Sequence, residues 1–404
     1  MGEACEGASV VTAMRVLVVH NFYRSENASG ESLSVLDEID GLRDLGWDVE
    51  VLSSDSDVIG RGDVAIGDLA LRPIYSRSSV ARARDAARRF RPHVALVENL
   101  FPLHSPWVIR TLRSRGVPVA AGVRSYRMFC AASNLFRDGS SCRDCIGSVA
   151  NLAAIRHGCY QNSPLRTVPM STSLALHRST FRSIDTLLAV SGFVRDELIG
   201  AGFDADKIVV RPNFVDDPGE ADHTPGDGFL FAGRLTQDKG VGAMLEGWKR
   251  SGVWREHRLR VAGSGPMETA LADLDPVHRV EPLGLLPHDE MMAVARSAAV
   301  TVVPSLWPEP FGRGVVEAAA HGRASIVCRS GGVASLVIDG ETGWIAQPDA
   351  DGIAAAFRRA ADRSEQERCG SAARRHYERH YTRESSLTVL DEQLRRLAHR
   401  GDMR

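Results

Sequence analysis

The sequence predicts an α/β protein made of two doubly wound parallel-sheet domains, and three observations carry that prediction. Short unbroken apolar runs, at 16–19, 94–97, 229–232 and 300–303, recur through the chain and read as strands buried on both faces. Amphipathic stretches of helical period separate them, as parallel strands require of their crossovers. The alternation begins afresh beyond a polar, turn-rich stretch at 211–228. A chain of 404 residues is long enough to bury two such cores.

The elements follow in order. Residues 14–19 form a first strand, followed by a polar loop from Asn21 to Ser29. Gly30 and Glu31 then open a helix carrying Leu33, Leu36, Ile39, Leu42 and Leu45. A strand at 49–52, an Arg-rich helix near 79–90 and strands at 94–97 and 117–123 continue the pattern, with a helix near 105–115 between the last two. Residues 124–183 break the rhythm and read as an insertion, with an amphipathic stretch at 170–181. A strand at 186–190, a helix from Gly192 and a strand at 208–210 close the first domain. Strands near 229–232, 258–262, 280–283, 300–303 and 325–328, each with its helix, form the second, and a long helix at 383–400 ends the chain. The expected boundaries are an N-terminal extension at 1–13, domains at 14–211 and 212–382, and a C-terminal helix at 383–404 that crosses back to the first domain.

Composition excludes several classes. A formal charge of −2 lacks the basic excess of a dedicated nucleic-acid binder. No apolar run reaches the length of a membrane span, and the first residues lack the basic start of a signal peptide, so a cytoplasmic location is expected with at most peripheral membrane contact. Neither half carries Gly-x-Gly-x-x-Gly after its first strand, so dinucleotide redox chemistry lacks its signature. Four of the seven cysteines, Cys130, Cys142, Cys145 and Cys159, cluster in the insertion. They have the ligand types of a structural zinc site, while the spacing matches no common zinc finger; free thiols are the other reading.

Two motifs carry chemistry. In the first, Glu309 and Glu317 have seven residues between them and flank Phe311 and Gly312, the first in a Pro/Gly loop and the second one turn into an Ala-rich helix. Glycine permits close backbone approach, helix-start amides favour an anion, and carboxylates accept from hydroxyls. The second motif runs from Gly233 to Gly240 after the 229–232 strand and contains Arg234 and Lys239. Lysine is scarce here, with only Lys207, Lys239 and Lys249. An ammonium and a guanidinium at a strand's carboxyl end suit a diphosphate. Together the motifs fit a nucleotide sugar.

With these residues assembled, the chain resembles the retaining GT-B glycosyltransferases of family four from Met14 to about Leu397. The likeness rests on HNFY at 20–23, Ser29-Gly30-Glu31, PHVALVENLFPLHSP at 92–106, AVSGFV at 189–194 and VVRPNF at 209–214. It continues through GRLTQDKG at 233–240, AGSGP at 262–266, LGLLPHDEM at 283–291, PEPFGRGVVEA at 308–318 and GGVASLVIDGETGWIAQP at 331–348. The resemblance implies two Rossmann-like domains around a cleft, with the nucleotide on the second domain and the acceptor mainly on the first. It implies that Arg234 and Lys239 bind the donor diphosphate, Glu309 the sugar hydroxyls and Glu317 the ribose. Gly233, Gly263 and Gly265 would admit the nucleotide, Leu286 would flank its base, the Phe311–Gly312 backbone would lie beside the phosphate, and Gly30 would face the phosphates. Glu31, Asn99, Arg124 and Tyr126 would recognise acceptor or sugar. Arg and Lys would stabilise the leaving diphosphate, so no metal or cofactor is required beyond the nucleotide-diphosphate sugar, UDP more readily than GDP. Attack from the departing group's side, with a donor phosphate oxygen taking the acceptor proton, would retain configuration.

Two departures stand out. Related chains commonly place His where Arg124 stands, and Arg cannot act as a base; a changed substrate recognition is expected. Ala334 and Ser335 replace a common Pro-Glu. These departures point to an unusual substrate, such as a natural-product acceptor attacking through oxygen or sulfur. A sugar-nucleotide epimerase and a non-catalytic nucleotide-sugar binder are the alternatives. The oligomeric state is not legible from the sequence.

Overall fold

The computed structural model describes residues 13–23, 30–61, 66–219, 226–272 and 275–402. The expected extension, Cys5 and Ser29 lie outside the described residues, apart from residue 13. Packing divides the chain into two units, Met1–Ala121 with Asp391–Arg404, and Gly122–Leu390. The division passes through a strand rather than through the 211–220 segment.

In the first unit, strand β1 (Arg15–Phe22) pairs in parallel with β2 (Asp48–Asp55) on one side and β3 (Val94–Val97) on the other. Strand β4 (Val119–Val123) joins β3 through Ala95 to Val97. β1 runs three residues beyond the expected end at Val19. His20, Asn21 and Phe22 are polar or aromatic, yet their register against Ser53, Ser54 and Asp55 keeps them extended. Val16 to Val19 are almost wholly buried, as expected of strands covered on both faces. The basic helix occupies Arg77–Arg89, capped by Ser76 accepting from the Ser79 amide. Its Arg82 donates to Ser53 O at 2.6 Å and its Arg89 pairs with Glu50. In the C-terminal segment of this unit, Asp391 accepts from Trp47 Nε1 at 2.6 Å, and Leu394, Leu397 and Ala398 are buried.

The second unit begins in β4, where Val123 O accepts from the Val190 amide. The 124–183 lobe contains a two-residue hairpin, β5 (Phe136–Arg137) and β6 (Ser140–Ser141), and helices Leu152–Arg156, Pro164–Leu176 and Arg178–Arg182. The helix read at 170–181 starts six residues earlier, because Ser163 caps it and Pro164 occupies its first turn. β7 (Thr186–Ala189) and β8 (Ile208–Val210) follow, in a sheet of order β2-β1-β3-β4-β7-β8. The 211–219 segment is no slack connector: Arg211 is fully buried and donates to Ser386 Oγ, and Tyr377 Oη donates to Val215 O.

A second parallel sheet has the order β11-β10-β9-β12-β13-β14. Its strands are β9 (Phe229–Ala232), β10 (Leu259–Ala262), β11 (Val280–Gly284), β12 (Val300–Val303), β13 (Ala324–Cys328) and β14 (Gly343–Ala346). β14 was not expected: four residues opening on glycine inside a turn-rich stretch carry little strand signal, and pairing with Ser325 to Cys328 creates it. Likewise β13 leads into the short turn Gly332–Leu336 rather than directly into a helix. Phe229, Trp248 and Phe357 form the centre of the core, with ring centroids 5.0–5.5 Å apart in edge-to-face contact. Because the strands are parallel, the loops after β9, β10, β11 and β12 leave from one edge, where open α/β sheets bind ligands.

Candidate active site

The loop after β9 and the loop after β12 meet. Lys239 Nζ lies 2.7 Å from Glu309 Oε1, and the other carboxylate oxygen accepts from Ser305 Oγ. The ammonium also lies 5.1 Å from the centroid of the Trp307 ring. The Leu306 and Trp307 amides donate to Asp238 O, which ties the two loops together through their backbones. Lys239 and Glu309 are 20% and 14% exposed, so water reaches the pair without surrounding it. Both charges are therefore held in fixed geometry before any ligand arrives.

The backbone around Glu309 is fixed from three sides. Tyr126 Oη donates to Pro308 O at 2.6 Å, Ser191 Oγ donates to Pro310 O at 2.7 Å, and the Gly332 amide donates to Glu309 O at 2.6 Å. Tyr126 is fully buried; burial first, then the Glu197 and Glu309 carboxylates, hold its phenol far above its ordinary value, so it acts as a neutral donor. Gly312 is the N-cap of the helix Arg313–Ala320, with φ 117° and no side-chain cap; the Val315 amide donates to Gly312 O, and a helix start of this kind favours an anion. Glu317 is drawn to Arg313 Nε at 2.8 Å, one turn back on the same helix. Phe311 is buried beneath the loop.

The glycines serve packing as well as approach. A Cβ on Gly263 would lie 1.9 Å from Gly233 O, and one on Gly265 would lie 2.6 Å from Leu235 O. Both have positive φ. The loops after β9 and β10 can lie this close only with glycine at those places.

The other expected site residues have partners and surroundings of their own. Arg234 is two-thirds exposed and reaches Asp238 at 3.6 Å, so its guanidinium projects into solvent. Leu286 is half-buried beyond β11. Arg124 is buried at the end of β4 and donates to Asn213 Oδ1 at 3.2 Å. Gly30 and Glu31 belong to the first unit, where Gly30 starts the helix Gly30–Asp44 and Glu31 accepts from Tyr23 Oη. Asn99, also there, spends its side chain on backbone: Oδ1 accepts from the Phe101 amide and Nδ2 donates to Asn21 O. Sequence reasoning overlooked Ser305, Trp307 and Ser191. A serine four residues before the glutamate in a loop was the visible signal for the first.

Among the described residues no group of three or more His, Cys, Asp or Glu is placed to hold a metal ion. Burial pushes the Cys130 thiol up, and the Leu135, Ala132, Asn134 and Ser133 amides draw it part of the way back.

Comparison with known proteins accords with this arrangement. Residues 29–213 match the model of the glycosyl transferase 4-like domain, and residues 226–363 match that of the glycosyl transferases group 1. A glycogen synthase of Mycobacterium tuberculosis is 35% identical over 197 residues, which is 45% of this chain and 46% of that protein. The chain thus spans about half the length of the curated relatives it matches. Among solved structures, Anabaena HepE in complex with UDP superposes with a TM-score of 0.63 at 15% identity, over 94% of this chain and 99% of that one. A sucrose-phosphate synthase of Thermosynechococcus elongatus gives 0.67 at 18% identity, over 95% and 99%. With two matched domains, two Rossmann-like parallel sheets and neighbours that share the whole fold, the chain belongs to the GT-B glycosyltransferases.

Proposed function

We propose that this protein transfers a sugar, with retention of configuration, from a nucleotide-diphosphate sugar to a small-molecule or glycan acceptor. The observation that carries this reading is the preformed Lys239–Glu309–Ser305 cluster beside the uncapped helix start at Gly312. On binding, the diphosphate draws Lys239 from Glu309 and seats against the Gly312 helix amides, with Arg234 swinging in from solvent. Glu309, released from the ammonium, accepts from sugar hydroxyls, and Glu317 accepts from the ribose. As the bond from the anomeric carbon to the phosphate oxygen breaks, the charge growing on that oxygen meets cations and amides already in place. The acceptor's oxygen or sulfur bonds to the same face of that carbon, and the departing phosphate oxygen takes its proton. Lys239 and Arg234 supply the positive charge this step needs. UDP is the preferred nucleotide in this reading, and two structural neighbours of the same fold are complexes with UDP.

The test is a calorimetric screen of UDP, GDP, TDP and their common sugars. Selective binding of one nucleotide, followed by its release from the sugar only when an acceptor is supplied, supports transfer. Conversion of the sugar without acceptor or free nucleotide favours an epimerase. Binding with no turnover for any acceptor leaves a nucleotide-sugar binder, and no binding at all removes the reading.

A further inference from the structure

The helix Pro164–Leu176 is amphipathic the wrong way round for a surface helix. Its inward face buries Thr167, Met170, Ser171, Ser173 and Leu174, three of them hydroxyl residues. At 3.6 residues per turn, Leu165, Val168, Pro169, Thr172, Ala175 and Leu176 share the opposite side. Leu165 is 85% exposed, Leu176 58% and Val168 42%. Helix Leu152–Arg156 packs against it and adds Leu152, with Val149 in the turn before, each about two-thirds exposed. Of the fourteen large hydrophobic residues exposed among the described residues, five fall within this short stretch, so the apolar surface is concentrated rather than scattered.

Charge identifies what covers it. From Ile146 to Ile184 the sequence contains Arg156, Arg166, Arg178 and Arg182 and neither Asp nor Glu, in a chain whose acids outnumber its bases. Arg166 donates to Gln161 Oε1 and Arg178 to Gly147 O, both neutral acceptors. An apolar face on a segment whose only acid or base side chains of fixed charge are arginines, with the nearby Asp138 and Asp144 held by Arg137, matches an anionic lipid bilayer, with aliphatic side chains entering the acyl boundary and guanidinium groups meeting phosphates. We propose that this face docks the protein on an anionic membrane surface. The proposal is independent of the sugar-transfer reading. No helix among the described residues is long and apolar enough to cross a membrane, so the contact lies in the interface.

Cosedimentation of the full chain with vesicles of phosphatidylcholine and phosphatidylglycerol in equal parts tests it. Binding is expected to these vesicles, to fall with added salt, and to be absent with phosphatidylcholine alone. The triple variant Leu165→Ser, Val168→Ser, Leu176→Ser removes only exposed side chains and is expected to lower partitioning at least tenfold. Leu71→Ser, on an exposed position elsewhere, is expected to leave it unchanged. Unaltered binding by the triple variant, or no wild-type binding to the anionic vesicles, overturns the proposal. So does a dimer in sedimentation analysis that the triple variant dissociates while vesicle binding is absent, because the face then belongs to a second copy of the chain.

Discussion

At the carboxyl end of β12, Glu309 shares its two oxygens between an ammonium and a hydroxyl and keeps partial access to water. At the carboxyl end of β3, Asn99 also stands just beyond a buried strand, but its amide is fully sequestered. It joins a web in which Asn21 donates to Ser56 Oγ and accepts from the Leu103 amide, and His104 Nδ1 lies 3.0 Å from Ser79 Oγ. One region is charged, water-accessible and built of side chains that can exchange partners. The other is buried and committed to backbone and to buried side-chain partners. Both sit where a parallel sheet presents polar loops. Position at a strand end therefore does not by itself separate a polar side chain free to exchange partners from a committed one; the partners and the access to water do.

The sharpest way to break the comparison is to remove a charge from the first region. Lys239→Met keeps an aliphatic stem beside Trp307 and deletes the ammonium. Release of nucleotide diphosphate from the donor is expected to fall about 10²–10³-fold, the scale on which a preorganised charge-stabilising donor acts. The folding stability of the second unit should fall by about 1–3 kcal/mol, because the Glu309 carboxylate is left mostly buried with Ser305 as its remaining partner. Chromatographic assay of the released nucleotide, with denaturant unfolding beside it, separates the two. A variant that loses stability yet retains its specific activity would place Lys239 among the structural residues.

Titration probes the second region. Burial first, then the Arg82 guanidinium, lowers the His104 pKa from 6.5 to about 4. The unfolded chain takes up this proton as pH falls through 6.5, and the folded chain resists until about 4, so between these values the unfolded state binds more protons. Stability is complete above pH 6.5 and declines toward pH 4, by roughly 3 kcal/mol for this group. Hydrogen exchange of the 16–19 amides on β1, followed from pH 7 to pH 4, reads the loss. His104→Asn, which can still reach Ser79, is expected to flatten that part of the profile; an unchanged profile would assign the decline to other groups.

The two regions also differ in how far the sequence discloses them. The second sheet's core and the two loops carrying Lys239 and Glu309 were legible, because apolar runs mark buried strands and a rare lysine beside glycine needs a reason; that these two side chains pair with each other was not. Ser305, Trp307 and Ser191 were not, since they act through contacts far apart in sequence: Ser191 reaches Pro310 O across 119 positions. Gly263 was read as room for a ligand, and its packing against Gly233 emerges only when two strands lie side by side. β14 was invisible for the same reason, as its order comes from β13. Arg124 illustrates the reverse case: the substitution was conspicuous, yet its bond to Asn213 could be known only from the folded chain.

Asn99 is where the comparison is finest, because the resemblance implies a role in recognition while its side chain is bonded to backbone. Asn99→Ala leaves the Phe101 amide and Asn21 O without the side-chain partners they now have, at a cost of about 1–3 kcal/mol for buried polar groups. The loss should appear as faster exchange of the β1 and β3 amides in the first unit, with nucleotide affinity unchanged by calorimetry. A tenfold drop in affinity with stability intact would mean that Asn99 leaves its backbone partners to meet a ligand, and the distinction between committed and exchangeable polar groups would fail at this residue. If exchange alone changes, the buried web acts as a brace that holds the ends of β1 and β3 together, and the recognition chemistry belongs to the charged loops after β9 and β12.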